Sequence, residues 1–384
     1  MLLQLRPGVT PAERRLLHKD GGRLISASLH VWRLSNATAQ GLLRPLRQAH
    51  LLADAEPDQP IESFAEPSAR NTLAPQEWWL HNVGADAVQP PGPGVPLTVV
   101  DTGLDVTHPE FSNRPNLILL NPQKIEGPND GHGTEVSSVA AAAGDGNGVV
   151  GVYPQAILQE WDMGAATLSD VIGGFDTAAR HGRSVINISG GFSVYSPLLE
   201  QAVDRAFAAG SVIVAAVGNS RAEGSPLAYP ASLPHVLTVA ATDEQNRVAS
   251  FSSRSRALDL AAPGVDIRVA IPTVYDPSGF TTASGTSFAA PIVAGAITWV
   301  WTRRPTLTNT QIMAVMEESA RPLAGKGGTR TPATACSTSR PHSSPRRRPR
   351  SPMSRTTTST TCDPAASASA GVDRSPPRVC CEPR

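Results

Sequence analysis

Between about residues 75 and 322, short apolar, β-rich runs alternate with helix-like stretches, and no other feature of the chain constrains its fold as strongly. The runs are Leu97–Val100, Val185–Ile188, Ser211–Val217 and Val236–Ala241, while Leu168–His181 and Pro197–Ala209 have helical periodicity. Each run is apolar at consecutive positions, so both faces of the strand must be covered. Strands of that kind separated by helices predict an α/β fold, a parallel sheet with helices on both faces. In such sheets reactive groups gather at the carboxyl edge.

The flanking segments obey other rules. Residues 1–70 predict a small α+β unit: a helix over Ala12–Lys19, a strand over Leu24–Leu34 and a helix over Ala37–Ala49. An acidic, Pro-rich linker, Glu56-Pro57-Asp58-Gln59-Pro60, follows. Residues 325–384 are rich in Arg, Pro, Ser and Thr, and a disordered low-complexity tail is expected there. Residues 331–384 carry nine Arg and no Lys against three acidic groups, so a chain of zero formal charge divides into +6 there and −6 before it. All four cysteines (Cys336, Cys362, Cys380, Cys381) lie in the tail, which excludes disulfides and cysteine metal sites from the main fold. The basic run lacks interleaved aromatics and reads as solvated chain, so no nucleic-acid partner is expected. Phe288–Trp301, the longest apolar stretch, is broken by Pro291 and Gly295 and falls short of the roughly 20 residues of a membrane helix. No membrane span is expected, and Arg6, Pro7 and Glu13 interrupt any secretory core after Met1.

Four loci carry chemistry. Asp101 ends an apolar strand beside Thr102-Gly103; His132 lies between Gly131 and Gly133 before a helix-like run; Ser287 opens the apolar stretch Gly285-Thr286-Ser287-Phe288-Ala289-Ala290-Pro291. A serine hydroxyl is a poor nucleophile until a neighbouring base takes its proton. An imidazole titrating near neutrality suits that role, and a buried carboxylate fixes its tautomer and stabilises the imidazolium. The fourth locus, Gly218-Asn219 after the strand Val212–Val217, sets an amide where it could donate to an oxyanion.

These motifs, in this order and separation, resemble the subtilisin-family (subtilase, peptidase S8) serine peptidases across residues 75–322. The resemblance implies an endopeptidase working through an acyl-enzyme. Asp101 would orient, His132 act as base and then acid, Ser287 attack, and Asn219 donate to the oxyanion. It implies backbone pairing of substrate with Ser189, Gly190 and Gly191, and a small apolar specificity wall from Ala215, Ala216 and Val217. Residues 1–70 resemble the family's inhibitory, chaperone-like propeptide, cleaved between about residues 58 and 75 by the chain itself. No cofactor is implied for the chemistry. Glu110, Asp145 and Asn147 match positions where many members bind structural calcium, and they read equally as an ordinary surface turn. Expected partners are protein or peptide substrates and the chain's own propeptide, with a monomeric enzyme. The resemblance implies secretion or the cell envelope, with the cytoplasm as the alternative. Two departures stand out: Phe288 replaces the methionine usual after the nucleophile, and the tail replaces a Gly-rich segment and closing helix. A non-catalytic peptide-binding subtilase fold, or acyl transfer to amines, would use the same residues.

Overall fold

The computed structural model describes residues 1–66, 77–125, 127, 130–145 and 148–323, with short backbone strands at Thr334–Thr338, Arg378–Val379 and Glu382–Pro383. Apart from those strands, the tail lies outside the described residues.

The first 56 residues form an antiparallel sheet in the order β2-β3-β1-β4, from β1 (Leu2–Leu5), β2 (Arg23–Ser26), β3 (Val31–Arg33) and β4 (Leu52–Glu56). Helices α1 (Pro11–Lys19) and α2 (Asn36–Gln48) cover one face, and Leu3, Leu5, Leu17, Trp32 and Ala39 form the core between them. Thr10 and Glu13 close a capping box that starts α1. The stretch Leu24–Leu34 is a hairpin, not one strand. The Ser26 hydroxyl accepts the Leu29 N–H at 3.1 Å and His30 has φ of 54°, so the chain reverses while its apolar alternation continues. Strand alternation sends Leu2 and Val31 to the opposite face, where they join the core around the helices of the main body.

A short link holds β5 (Glu62–Ser63) and β6 (Ala65–Glu66), and α3 (Trp78–Val83) follows. The main body then runs β7 (Leu97–Asp101), α4 (Pro109–Ser112), β8 (Leu117–Leu119), α5 (His132–Ala141), β9 (Leu158–Asp162), α6 (Leu168–Arg180), β10 (Val185–Ile188), β11 (Gly190–Gly191), α7 (Pro197–Ala208) and β12 (Val212–Ala216). It ends with β13 (Val236–Thr242), β14 (Leu258–Pro263), β15 (Ile267–Ala270), β16 (Phe280–Gly285), α8 (Thr286–Arg303), α9 (Asn309–Ser319) and β17 (Ala320–Pro322).

Seven strands pair in parallel in the order β8-β9-β7-β10-β12-β13-β14, as continuous apolar runs require. Val212, Val214 and Ala216 face α5 and α8; Ile213 and Ala215 face α6 and α7. The strand order reverses at β7, which lies between β9 and β10, so a crevice opens at the carboxyl end of β7. Asp101 stands there.

Candidate active site

Asp101, the last residue of β7, is buried, and its Oδ1 lies 2.7 Å from His132 Nδ1 while also accepting the Thr102 N–H at 2.8 Å. His132 is the first residue of α5. A Cβ on Gly133 would stand 1.6 Å from the Thr102 carbonyl oxygen, so only glycine lets α5 begin against the end of β7. Glu160 in β9, buried and held well above the ordinary carboxylate range by that burial, accepts the Ser137 hydroxyl of α5 at 2.7 Å and ties the helix to the sheet.

Burial alone would lower the His132 pKa; the charge and hydrogen bond of Asp101, with Glu135 one turn along, hold it above the ordinary imidazole value. With Nδ1–H donated to Asp101, Nε2 is an acceptor, and it is buried without a hydrogen-bond partner among the described residues. Its ring is 6.1 Å from that of Phe288, the residue after Ser287.

Ser287 is buried at the start of α8, where Gly285 precedes the helix. Pro291 has no N–H to bond the Ser287 carbonyl one turn back, and the Ser189 hydroxyl donates to it instead at 2.8 Å. The Ser287 hydroxyl in turn donates to the Ser189 carbonyl at 2.8 Å. Asn219 follows Gly218, whose φ is 98°. Its Oδ1 accepts from the Thr286 N–H at 3.1 Å and hydroxyl at 2.8 Å, which aims Nδ2 outward.

What Nδ2 meets is the chain itself. The Phe64 carbonyl oxygen accepts both from Asn219 Nδ2 and from the Ser287 N–H, the latter at 3.3 Å. On one side of it, β5 pairs antiparallel with β11, opposing Ser63 to Gly190 and Glu62 to Gly191. On the other, β6 pairs antiparallel with β16, opposing Ala65 to Gly285 and Glu66 to Ser284. The Phe64 N–H donates to the Ser189 carbonyl at 3.4 Å and the Ile61 N–H to that of Ala166 at 2.8 Å. Residues 61–66 thus cross the site as an added strand, by main-chain bonds. The Phe64 side chain is 8% exposed. Its ring meets the open faces of Gly191 and Gly218, where an added Cβ would lie 2.9 Å and 3.6 Å from Cζ.

A sequence model described as the subtilase family matches residues 92–347. The chain belongs to the subtilase family. This subtilase is 34% identical over 250 residues to subtilisin DY of Bacillus licheniformis, a match covering 63% of the chain and 90% of the relative. It is 36% identical over 279 residues to an alkaline protease of Alkalihalobacillus alcalophilus, covering 70% of the chain and 72% of the relative. Fervidolysin from Fervidobacterium pennivorans, described as a keratinolytic enzyme related to subtilisin, superposes with a TM-score of 0.66 at 25% identity, over 83% of this chain and 57% of that one. Subtilases are serine peptidases, so the family implies protein substrates.

The structure of this subtilase joins Asp101 to His132, sets the His132 ring beside that of Phe288, and gathers Asn219, Ser287, Ser189, Gly190 and Gly191 around residues 61–66. Ala215, Ala216 and Val217 do not form one wall of side chains: Ala215 faces α6 and α7, Ala216 shares the core that holds Phe64, and Val217 packs with Ala240 and Ala261. Consecutive strand residues point to opposite faces. Glu110 is buried on α4 with Oε1 accepting the Val149 N–H at 2.8 Å; Asp145 is exposed, and Asn147 lies outside the described residues. Sequence reasoning missed Phe64 and Thr286. Thr286 stood inside a motif already singled out, whereas Phe64 has no local mark beyond being an aromatic in a linker.

Proposed function

We propose that this subtilase is a serine endopeptidase whose first substrate is its own Phe64–Ala65 bond. One observation carries the reading: a backbone carbonyl, that of Phe64, held by two convergent donors at the start of α8, Asn219 Nδ2 and the Ser287 N–H. Such donors stabilise the charge that develops on a carbonyl oxygen under attack.

The Ser287 hydroxyl turns from the Ser189 carbonyl to His132 Nε2, gives it its proton and attacks the Phe64 carbonyl carbon. Asp101 holds the imidazolium so formed. The bond to the Ala65 nitrogen breaks as His132 returns the proton to the departing amine. Water then hydrolyses the acyl-enzyme with His132 again as base. Residues 1–64 are left as an inhibitory domain in the cleft, and the enzyme works outside the cell or in its envelope. Among the described residues no helix is long and apolar enough to cross a membrane.

No cofactor enters these steps. We also propose a structural calcium at Glu110. Among the described residues its Oε2 is buried without a hydrogen-bond partner, and the nearby Asp145 and Glu77 are of like charge, which suits a hard cation. Among the described residues no group of three or more His, Cys, Asp or Glu could hold a metal, so main-chain carbonyls would supply the other donors.

The test is maturation in vitro. Purified chain should take a fluorophosphonate on Ser287 and yield a product whose first residue is Ala65 by mass spectrometry. The Ser287→Ala chain should stay whole. An unlabelled Ser287, or maturation of the alanine variant by itself, would overturn the reading.

A further inference from the structure

The face of residues 1–56 that docks on the main body meets it through apolar and polar contacts. Leu2 and Val31 lie against the α6 and α7 core, Gln4 Nε2 donates to Gln201 Oε1 at 2.7 Å, and the Ser28 hydroxyl donates to the buried Asp176 carboxylate. Two further carboxylates meet helix starts across the interface. Asp58 accepts the Ser169 N–H at 2.8 Å and its hydroxyl at 2.9 Å in the first turn of α6, and Arg33 pairs with it at 2.8 Å. Glu56, the last residue of β4, accepts the Ser196 hydroxyl at 2.7 Å. Ser196 is fully buried and caps α7 by accepting the Leu199 N–H.

The two carboxylates differ in company. Asp58 has a guanidinium. Glu56 faces Asp54 on its own strand and Asp58 just beyond it; from the α7 side it faces Tyr195, whose hydroxyl is bonded to Glu200. Of the cations on the docking strands, Arg33 is engaged by Asp58, and the Met1 ammonium, also near Asp58, donates to the Leu34 carbonyl at 3.0 Å and to Asn36 Oδ1 at 3.1 Å. Glu56 is thus set against a helix start, among acidic groups and without an ion pair among the described residues.

Building on the proposed role of residues 1–64 as inhibitor, we infer that Glu56 is a pH-sensitive latch: its hold on α7 is firm while the carboxyl is protonated and loosens when it ionises. Burial, reinforced by Asp54 and Asp58 against the bonds from Ser196 and Leu198, pushes the docked carboxyl up to about 7 from an ordinary value of 4.5. A carboxyl raised on docking favours the docked state below its undocked pKa and loses that advantage as pH climbs through the docked one. Acid therefore keeps the cleft occupied, and a rise in pH towards 8 releases it. The difference sets a ceiling of about 300-fold on the docking equilibrium, and partial exposure screens it, so a loss of at least about tenfold is expected.

The test does not depend on catalysis. In the full-length Ser287→Ala chain, hydrogen exchange of β1, β4 and first-turn α7 amides, corrected for intrinsic rates, reports opening of the docked unit, with β10 and β12 amides as internal reference. Protection at the interface should fall by at least about tenfold between pH 5 and 8 while the reference amides hold. Adding Glu56→Gln, which keeps an oxygen for Ser196 but cannot ionise, should flatten the profile. A flat profile in the parent chain, or an unchanged slope with glutamine, would overturn the latch. If Glu56→Gln folds poorly, the carboxyl-carbon NMR shift of Glu56 in the parent chain, titrated over the same range, decides instead: a midpoint at the ordinary carboxylate value would overturn the latch. Failure of the catalytic reading would show separately, as an unlabelled Ser287 in the wild-type chain.

Discussion

Gly191→Ala tests how the cleft chooses the residue before the cut. The new Cβ would stand 2.9 Å from Phe64 Cζ, 3.0 Å from Cε2 and 2.9 Å from the Tyr229 carbonyl oxygen. Carbon atoms prefer about 3.5–4.0 Å, so an aromatic ring must withdraw by roughly 1 Å and give up much of its burial. Fully burying a phenylalanine contributes about 1.5–3 kcal/mol; losing about 2 kcal/mol lowers kcat/KM about thirtyfold. A substrate with alanine at that position has no ring to displace, and the contact with Tyr229 affects both substrates alike. The assay is kcat/KM on two peptides differing only in Phe or Ala before the scissile bond, with Tm as a check on folding. The Phe/Ala ratio should drop about thirtyfold, and Phe64→Ala added to Gly191→Ala should recover self-processing. An unchanged ratio, or equal losses for both peptides, would show that the Phe64 ring does not mark the specificity pocket.

Three further outcomes are expected. Activity needs neutral His132, so kcat/KM should rise with pH through a value above that of free imidazole; Glu135→Gln, which removes one of the negative charges that hold it up, should move this limb to lower pH, and an unmoved limb would remove Glu135 from that role. Phe288 puts a buried aromatic ring where the family resemblance implies an oxidisable methionine as the usual residue, so peroxide should inactivate Phe288→Met faster than wild type, whereas equal rates would refute this. Chelation should lower Tm if a calcium neutralises Glu110, and a Tm indifferent to chelator would reject that site.

Residues whose duties are local were plain in the sequence. His132 needs glycine beside it because the start of α5 touches the end of β7, and Ser287 needs a helix start, so each carries its requirements in adjacent positions. The apolar runs likewise declared a parallel sheet, and Val185–Ile188 forms a strand with those bounds. The hairpin at Ser26–His30 escaped notice because its polar and apolar residues keep a strand's alternation through the reversal.

What stayed hidden was every contact made between distant parts of the chain. Asn219 and the carbonyl it meets are separated by 155 residues, and Glu56 and the Ser196 hydroxyl by 140. Backbone pairing of the kind that lays residues 61–66 across the cleft uses groups that all residues but proline possess in full, so no side chain records it. The polymer's own order thus announced which chemical groups were available. Folding alone determined that a linker phenylalanine would occupy the cleft, because that depends on which surfaces meet once the sheet is built.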